Sequence, residues 1–157
     1  MIYSDFLDQD ELKQYARSIN QRAKSLGKPG LITASDLRTR IYESGGKCEW
    51  CATTIVREPF EVDHIISLSS GGSNTPNNLA VACPPCNRAK SSKHPARFSQ
   101  ETFARTGIMT PLLQFVLDHY QIEAATQKSL FDITEDESDS SSATDHPASD
   151  DPPPYRW

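Results

Sequence analysis

Four cysteines stand in two pairs, Cys48-x-x-Cys51 and Cys83-x-x-Cys86, separated by the 31 residues from Ala52 to Ala82. Each pair can form a tight turn that presents two thiolates to one ion, and two such turns complete a tetrahedral set that suits Zn2+. Four thiolates leave no coordination position open, so this ion would be structural and any chemistry must lie elsewhere. Groups able to act on a substrate do lie nearby. Asp63 adjoins His64, Asn74, Asn77 and Asn78 follow in a short stretch, and Asn87, Arg88 and Lys90 come just after the second pair. An imidazole exchanges protons near neutral pH, and a carboxylate or amide oxygen binds hard divalent cations.

The elements that must position these groups are short. Asp8 followed by Glu11 reads as a capping box, and Leu12, Tyr15, Ala16, Ile19, Ala23 and Leu26 repeat at helical spacing up to Gly27. Lys28-Pro29-Gly30 breaks that pattern. A second helix starts at Thr33 with Asp36 three residues on, carries Leu37, Ile41 and Tyr42, and ends at Gly45-Gly46. Residues 61–66 read as a strand, residues 67–77 as a loop rich in Ser, Gly and Asn, and residues 79–82 as a second strand. A helix begins near Pro84 and includes Asn87. Another starts at Pro111, capped by Thr110, with Leu112, Phe115, Val116 and Tyr120 as its apolar face. The fold class is α+β, divided into a helical segment (1–46), a core holding both cysteine pairs (47–98), C-terminal helices (99–126) and an acidic tail (127–157).

The formal charge of −5 is unevenly spread: residues 132–157 hold eight acidic groups against Arg156 alone, leaving residues 1–131 mildly basic. Residues 132–157 have Ile133 as their one large aliphatic residue, too little apolar surface to fold. The chain shows no stretch of bilayer-spanning length, and its start, Met1-Ile-Tyr-Ser-Asp-Phe-Leu, lacks the basic and apolar regions of a secretion signal. The expectation is a cytoplasmic protein with no membrane contact, whose thiols bind metal rather than form disulfides.

The run V-D-H-I-I-S-L-S-S-G-G-S-N, followed by N-N-L-A-V-A-C-P-P-C-N-R-A-K, resembles the HNH endonuclease family: a D-H strand, a G-G loop, an N-L segment and a C-x-x-C-[HN]-x-x-K helix start. The resemblance covers about Cys48 to Lys90 and implies a ββα-metal (His-Me finger) core that hydrolyses DNA phosphodiester bonds. It implies His64 as general base, Asp63 and Asn87 as ligands of one catalytic Mg2+ or Mn2+, and Asn78 as the residue that orients His64 and braces the loop. Asn87 stands where the family often has His, an H-N-N variant similar to the HNH domain of RNA-guided CRISPR nucleases. Asn74 and Asn77 lie close enough to share the roles of Asn78.

Arg88, Lys90, Lys93 and Arg97 form a basic run for backbone phosphates, which Arg38, Arg40, Lys47 and Arg57 can flank. His94 reads as solvated, and His119 as surface or packing. One such site cuts one strand, so a double-strand cut calls for a homodimer or two encounters. Gln127-Lys-Ser129-Leu130-Phe131 resembles the peptide that bacterial replication proteins insert into the sliding clamp, with Lys128 replacing the usual Leu. Pro152 to Tyr155 resembles a WW-domain ligand. The competing reading is a catalytically silent zinc-knuckle module that binds DNA or, through residues 127–131, the clamp. The joint presence of Asp63, His64, Asn78 and Asn87 argues against it.

Overall fold

A computed structural model describes residues 9–120. The clamp-like peptide (Gln127, Ser129, Leu130, Phe131), the acidic tail, the Pro152–Tyr155 motif and the cap expected of Asp8 lie outside them. Helix α1 (Gln9–Ser25) buries Leu12, Ala16 and Ala23, a stripe at intervals of four and seven. It stops where Gly27 turns to φ +65°, and Leu26, expected to extend the stripe, is 45% exposed. Helix α2 (Ala34–Glu43) begins with the expected capping box: Thr33 Oγ1 accepts from the Asp36 N–H, and the Asp36 carboxylate accepts from the Thr33 N–H. Its buried positions are Leu37, Arg40 and Ile41, while Tyr42, read as apolar face, is 73% exposed.

Strands β1 (Glu61–His64) and β2 (Leu79–Ala82) pair antiparallel, with Glu61 opposite Ala82 and His64 opposite Leu79. β2 is buried throughout. β1 alternates, so that Val62 and His64 are buried while Glu61 and Asp63 are half-buried on the other face. The outer edge of β1 is closed by a side chain: the Tyr15 hydroxyl donates to the Val62 carbonyl (3.3 Å) and accepts from its N–H (3.0 Å). The expected strand continued to Ile66. Instead, Ile65 and Ile66 leave the ladder and donate to the backbone and side-chain oxygens of Asn78, each at 2.8 Å. The loop between the strands holds two 3-10 turns, Leu68–Ser70 and Pro76–Asn78.

Helix α3 (Pro84–Lys90) starts on the second cysteine pair. Helix α4 (Pro95–Thr106) was not legible as a separate element, and the expected division between residues 98 and 99 falls inside it. Pro95 at its first position and His94 as its cap explain its start: His94 is exposed, as expected, and its Nδ1 also accepts from the Ala96 N–H at 3.3 Å. Helix α5 (Pro111–His119) has the expected cap, with Thr110 Oγ1 accepting from the Leu113 N–H. Leu112, Leu113 and Val116 are buried, whereas Phe115 and Tyr120 pack at the core's margin. One apolar core joins Leu12, Leu37, Ile41, Trp50, Phe60 and Leu113, with Trp50 set edge-on to Phe98 at 5.2 Å. Among the described residues, no helix is long and apolar enough to cross a membrane.

Candidate active site

The two cysteine pairs meet. The first turn is closed by Cys48 and Thr53 (N–H to carbonyl, 2.8 Å) with Ala52 at φ +62°, and the second is the first turn of α3. All four sulfurs lie within 4.8 Å of one another, and those of Cys51 and Cys83 are 3.8 Å apart. A tetrahedral ion with bonds of about 2.3 Å would separate its sulfurs by about 3.8 Å, so the spacing fits zinc. The electrostatics agree. Hydrogen bonds from the Cys48 and Cys86 thiols hold Cys51 well below the ordinary thiol range. The same contact with Cys51 pushes Cys48 up to about 12, and its thiol neighbours, Cys48 first, push Cys86 up as well. Such a set ionises together only around a cation. Among the described residues this is the one group of three or more His, Cys, Asp or Glu placed to hold a metal.

Surrounding groups lock the first turn in place. Glu49, inside the Cys48–Cys51 pair, is buried. One carboxylate oxygen pairs with Arg40 and the other accepts from the Val81 N–H at 2.6 Å. Thr110 Oγ1 donates to the Glu49 carbonyl at 2.6 Å. Arg40, expected to flank DNA, is thus enclosed by the frame.

A cleft of about 420 Å³ opens beside the cluster, lined by Tyr15 and Arg22 of α1, Glu61, Asp63 and His64 of β1, and Asn87 of α3. Asp63 Oδ2 accepts from Lys90 Nζ at 2.9 Å, and Asn87 Nδ2 donates to Glu61. Each contact uses one end of the group. Asp63 Oδ1 and Asn87 Oδ1 are left without a hydrogen-bond partner among the described residues, and two oxygens on one cleft are what a hard divalent cation takes from a protein. The site therefore fits such an ion. His64 is 8% exposed, and burial lowers its affinity for a proton below the ordinary 6.5, outweighing the Asn74 hydrogen bond and the Asp63 charge, which raise it, while the cations of Lys90 and Arg22 act with burial.

The structure redistributes several expected roles. Asn78 braces the loop, since its Nδ2 donates to the Ile66 and Ser73 carbonyls (both 2.9 Å), but the side-chain hydrogen bond to the imidazole is made by another asparagine. The partner of His64 is Asn74, whose Oδ1 lies 3.1 Å from Nε2. Lys90, expected to meet phosphate, is 0% exposed: its ammonium bonds Asp63 and the His64 carbonyl (2.7 Å) and lies 5.9 Å from the Trp50 ring centroid. At four residues past the buried Cys86, it shares that sulfur's inward face of α3, a spacing visible in the sequence. Lys93 and Arg97 are exposed, but both pair with Glu101, at 2.7 and 3.2 Å, which blunts their pull on phosphate. Arg88 remains exposed. Two charged cleft residues escaped the sequence reading. Glu61 stands two positions before Asp63 on the same strand face, and Arg22 stands three after Ile19 on the α1 face that lines the cleft.

Residues 48–93 match the model of the family described as HNH endonuclease. Over 102 residues, 60% of the chain, the sequence is 32% identical to a CRISPR-associated endonuclease Cas9 of Actinomyces naeslundii. That match spans 9% of the relative's length. Among solved structures, the type IV phosphorothioation-dependent restriction endonuclease ScoMcrA aligns over 70% of this chain and 25% of its own, at 22% identity and a TM-score of 0.35. The cysteine frame, the Asp63-His64 strand and the Asn87 helix all fall inside the matched segment, and residues 48–93 constitute a domain of the HNH endonuclease family.

Proposed function

We propose that this chain is a metal-dependent endonuclease that hydrolyses DNA phosphodiester bonds in the cleft between α1 and β1. The observation that carries this reading is the convergence of His64, Asp63 and Asn87 on one opening, each oriented by a separate buried or half-buried partner. His64 takes the proton from the attacking water, and burial keeps its ring neutral and ready to accept at neutral pH. Asp63 and Asn87 would hold Mg2+ or Mn2+ through the Oδ1 atoms that their hydrogen bonds leave open. Lys90 and Glu61 keep those atoms aimed, so little reorganisation is needed as charge develops. When bound, the cation supplies Lewis-acid stabilisation of the scissile phosphate and of the leaving 3′-oxygen, which leaves a 5′-phosphate. Arg22 and Arg88 meet neighbouring backbone phosphates, contacts that carry little sequence information. The four cysteines would bind a zinc ion, which would tie the start of α3 to the first cysteine turn.

The reading is tested by plasmid nicking with Mg2+ and with Mn2+. Wild type converts supercoiled to open-circular DNA, His64→Ala does not, and Asn87→Ala needs more cation. Binding of DNA with no nicking under either ion would instead favour a silent zinc-knuckle module.

A further inference from the structure

The contact between Asn74 and His64 is the end of a longer chain of hydrogen bonds that starts outside the family segment. Asn20, half-buried on α1, makes two bonds to one residue: its Oδ1 accepts from the Ile32 N–H at 2.9 Å, and its Nδ2 donates to the Ile32 carbonyl at 2.8 Å. A backbone N–H can only donate and a carbonyl can only accept, so these two contacts fix which end of the Asn20 amide is oxygen. That oxygen lies 2.8 Å from the amide of Asn74, which must therefore present Nδ2 to it. The Gly30 carbonyl at 3.4 Å asks for the same orientation. With its nitrogen committed to two acceptors, Asn74 faces His64 Nε2 through Oδ1, which can only accept. A neutral imidazole in this place carries its hydrogen on Nε2 and keeps its lone pair on Nδ1.

The backbone keeps the relay tight. Asn74 is 0% exposed, and its N–H donates to the Pro29 carbonyl at 3.2 Å. Gly30 adopts φ +110°, and a Cβ there would lie 2.3 Å from the Asn74 carbonyl oxygen, so the approach requires glycine. Ile32 is buried in the core that α1 and α2 share.

We propose that Asn20 is a positioning residue for the nuclease site: through Asn74 it sets the tautomer of His64 and makes Nδ1 the proton-accepting nitrogen. It follows that α1 and the loop to Ile32, which lie outside residues 48–93, are part of the working site rather than an appendage. The inference rests on the proposed role of His64 as base, but its primary test does not need activity.

Imidazole 15N NMR of the full zinc-loaded chain, labelled at histidine and assigned by loss of one signal set in His64→Gln, reads the tautomer directly. The expected result at neutral pH or above is a hydrogen on Nε2, exchanging slowly with water, and an unprotonated Nδ1. Asn20→Ala should speed exchange of that hydrogen and mix the tautomers while the thermal unfolding transition stays cooperative. It should also lower kcat by about 10- to 100-fold, the usual cost of losing an outer support of an active-site ligand. Asn20→Asp keeps an acceptor for both donors and should restore the Nε2–H signal. A hydrogen on Nδ1 in the wild type, or His64 signals and exchange unchanged in a folded Asn20→Ala protein, would overturn the proposal. Absence of nicking by wild type would instead count against the function and leave the tautomer result standing.

Discussion

Around the sulfur cluster, polar groups turn inward. Glu49 is enclosed by Arg40, the Val81 N–H and Thr110, and the four cysteines face one another with 8% exposure or less. In the cleft a short distance away, Asp63 and Asn87 are each held by one atom while another is left unpartnered among the described residues. Both regions share α3, which carries Cys86 and Lys90 on its buried side and Asn87 toward the cleft. The first arrangement saturates its donors and suits a frame. The second withholds ligand atoms, the pattern of a site meant to take something up.

This contrast can be broken by substitution, and the largest effect belongs to the frame. Cys83→Ser, or exhaustive chelation, should abolish the cooperative unfolding transition, since a structural zinc contributes on the order of 10 kcal/mol to folding. Circular dichroism during chelator titration reads this. Next comes the cleft: His64→Ala should lower kcat by about 10²- to 10⁴-fold with an unchanged melting curve, the cost of losing a general base. Lys90→Met probes the shared ground. It leaves Asp63 without its buried cation, and denaturant unfolding should show a loss of about 3 kcal/mol, the scale for breaking a buried pair. A surface phosphate contact would cost almost no stability.

Asn78→Ala should cost about 2 kcal/mol through unsatisfied groups at Ile66 and Ser73 while leaving the His64 tautomer intact. The smallest effect concerns pH. Burial favours the neutral ring of His64 and outweighs the Asn74 hydrogen bond and the Asp63 charge, which favour the protonated one, so the neutral base persists below 6.5 and the acid limb of the kcat profile lies beneath that value. A limb above 6.5 would contradict the burial argument.

The legible parts of the molecule were those written in local spacing. The Cys-x-x-Cys pairs, the Thr33–Asp36 box and the Thr110 cap each concern residues within a turn of one another, and the structure places them so. The strand alternation that sets Asp63 and His64 on opposite faces is equally local. What stayed hidden depends on how the chain returns on itself. Three asparagines in five residues look alike in sequence, and Asn74 rather than Asn78 reaches His64 because the loop doubles back at Gly71 (φ +103°) and Gly72. A Cβ at Gly72 would sit 2.0 Å from the Ile66 carbonyl oxygen. Lys90 reads as a phosphate ligand until the core is seen to close over it. Arg22 and Asn20 belong to a helix whose apolar stripe explained it well enough to hide its polar work.

The central claim is that the two metal requirements are separable, one for the fold and one for the cut. Full-length protein should be dialysed against a divalent-free buffer that spares tightly bound zinc. Nicking rate and zinc content by atomic emission should then be followed during a Mg2+ titration. The account predicts one zinc per chain throughout, no nicking at the start and a rate that rises to saturation with Mg2+, with the midpoint moved to higher concentration in Asn87→Ala. A rate that follows zinc content and is indifferent to Mg2+ and Mn2+ would contradict it.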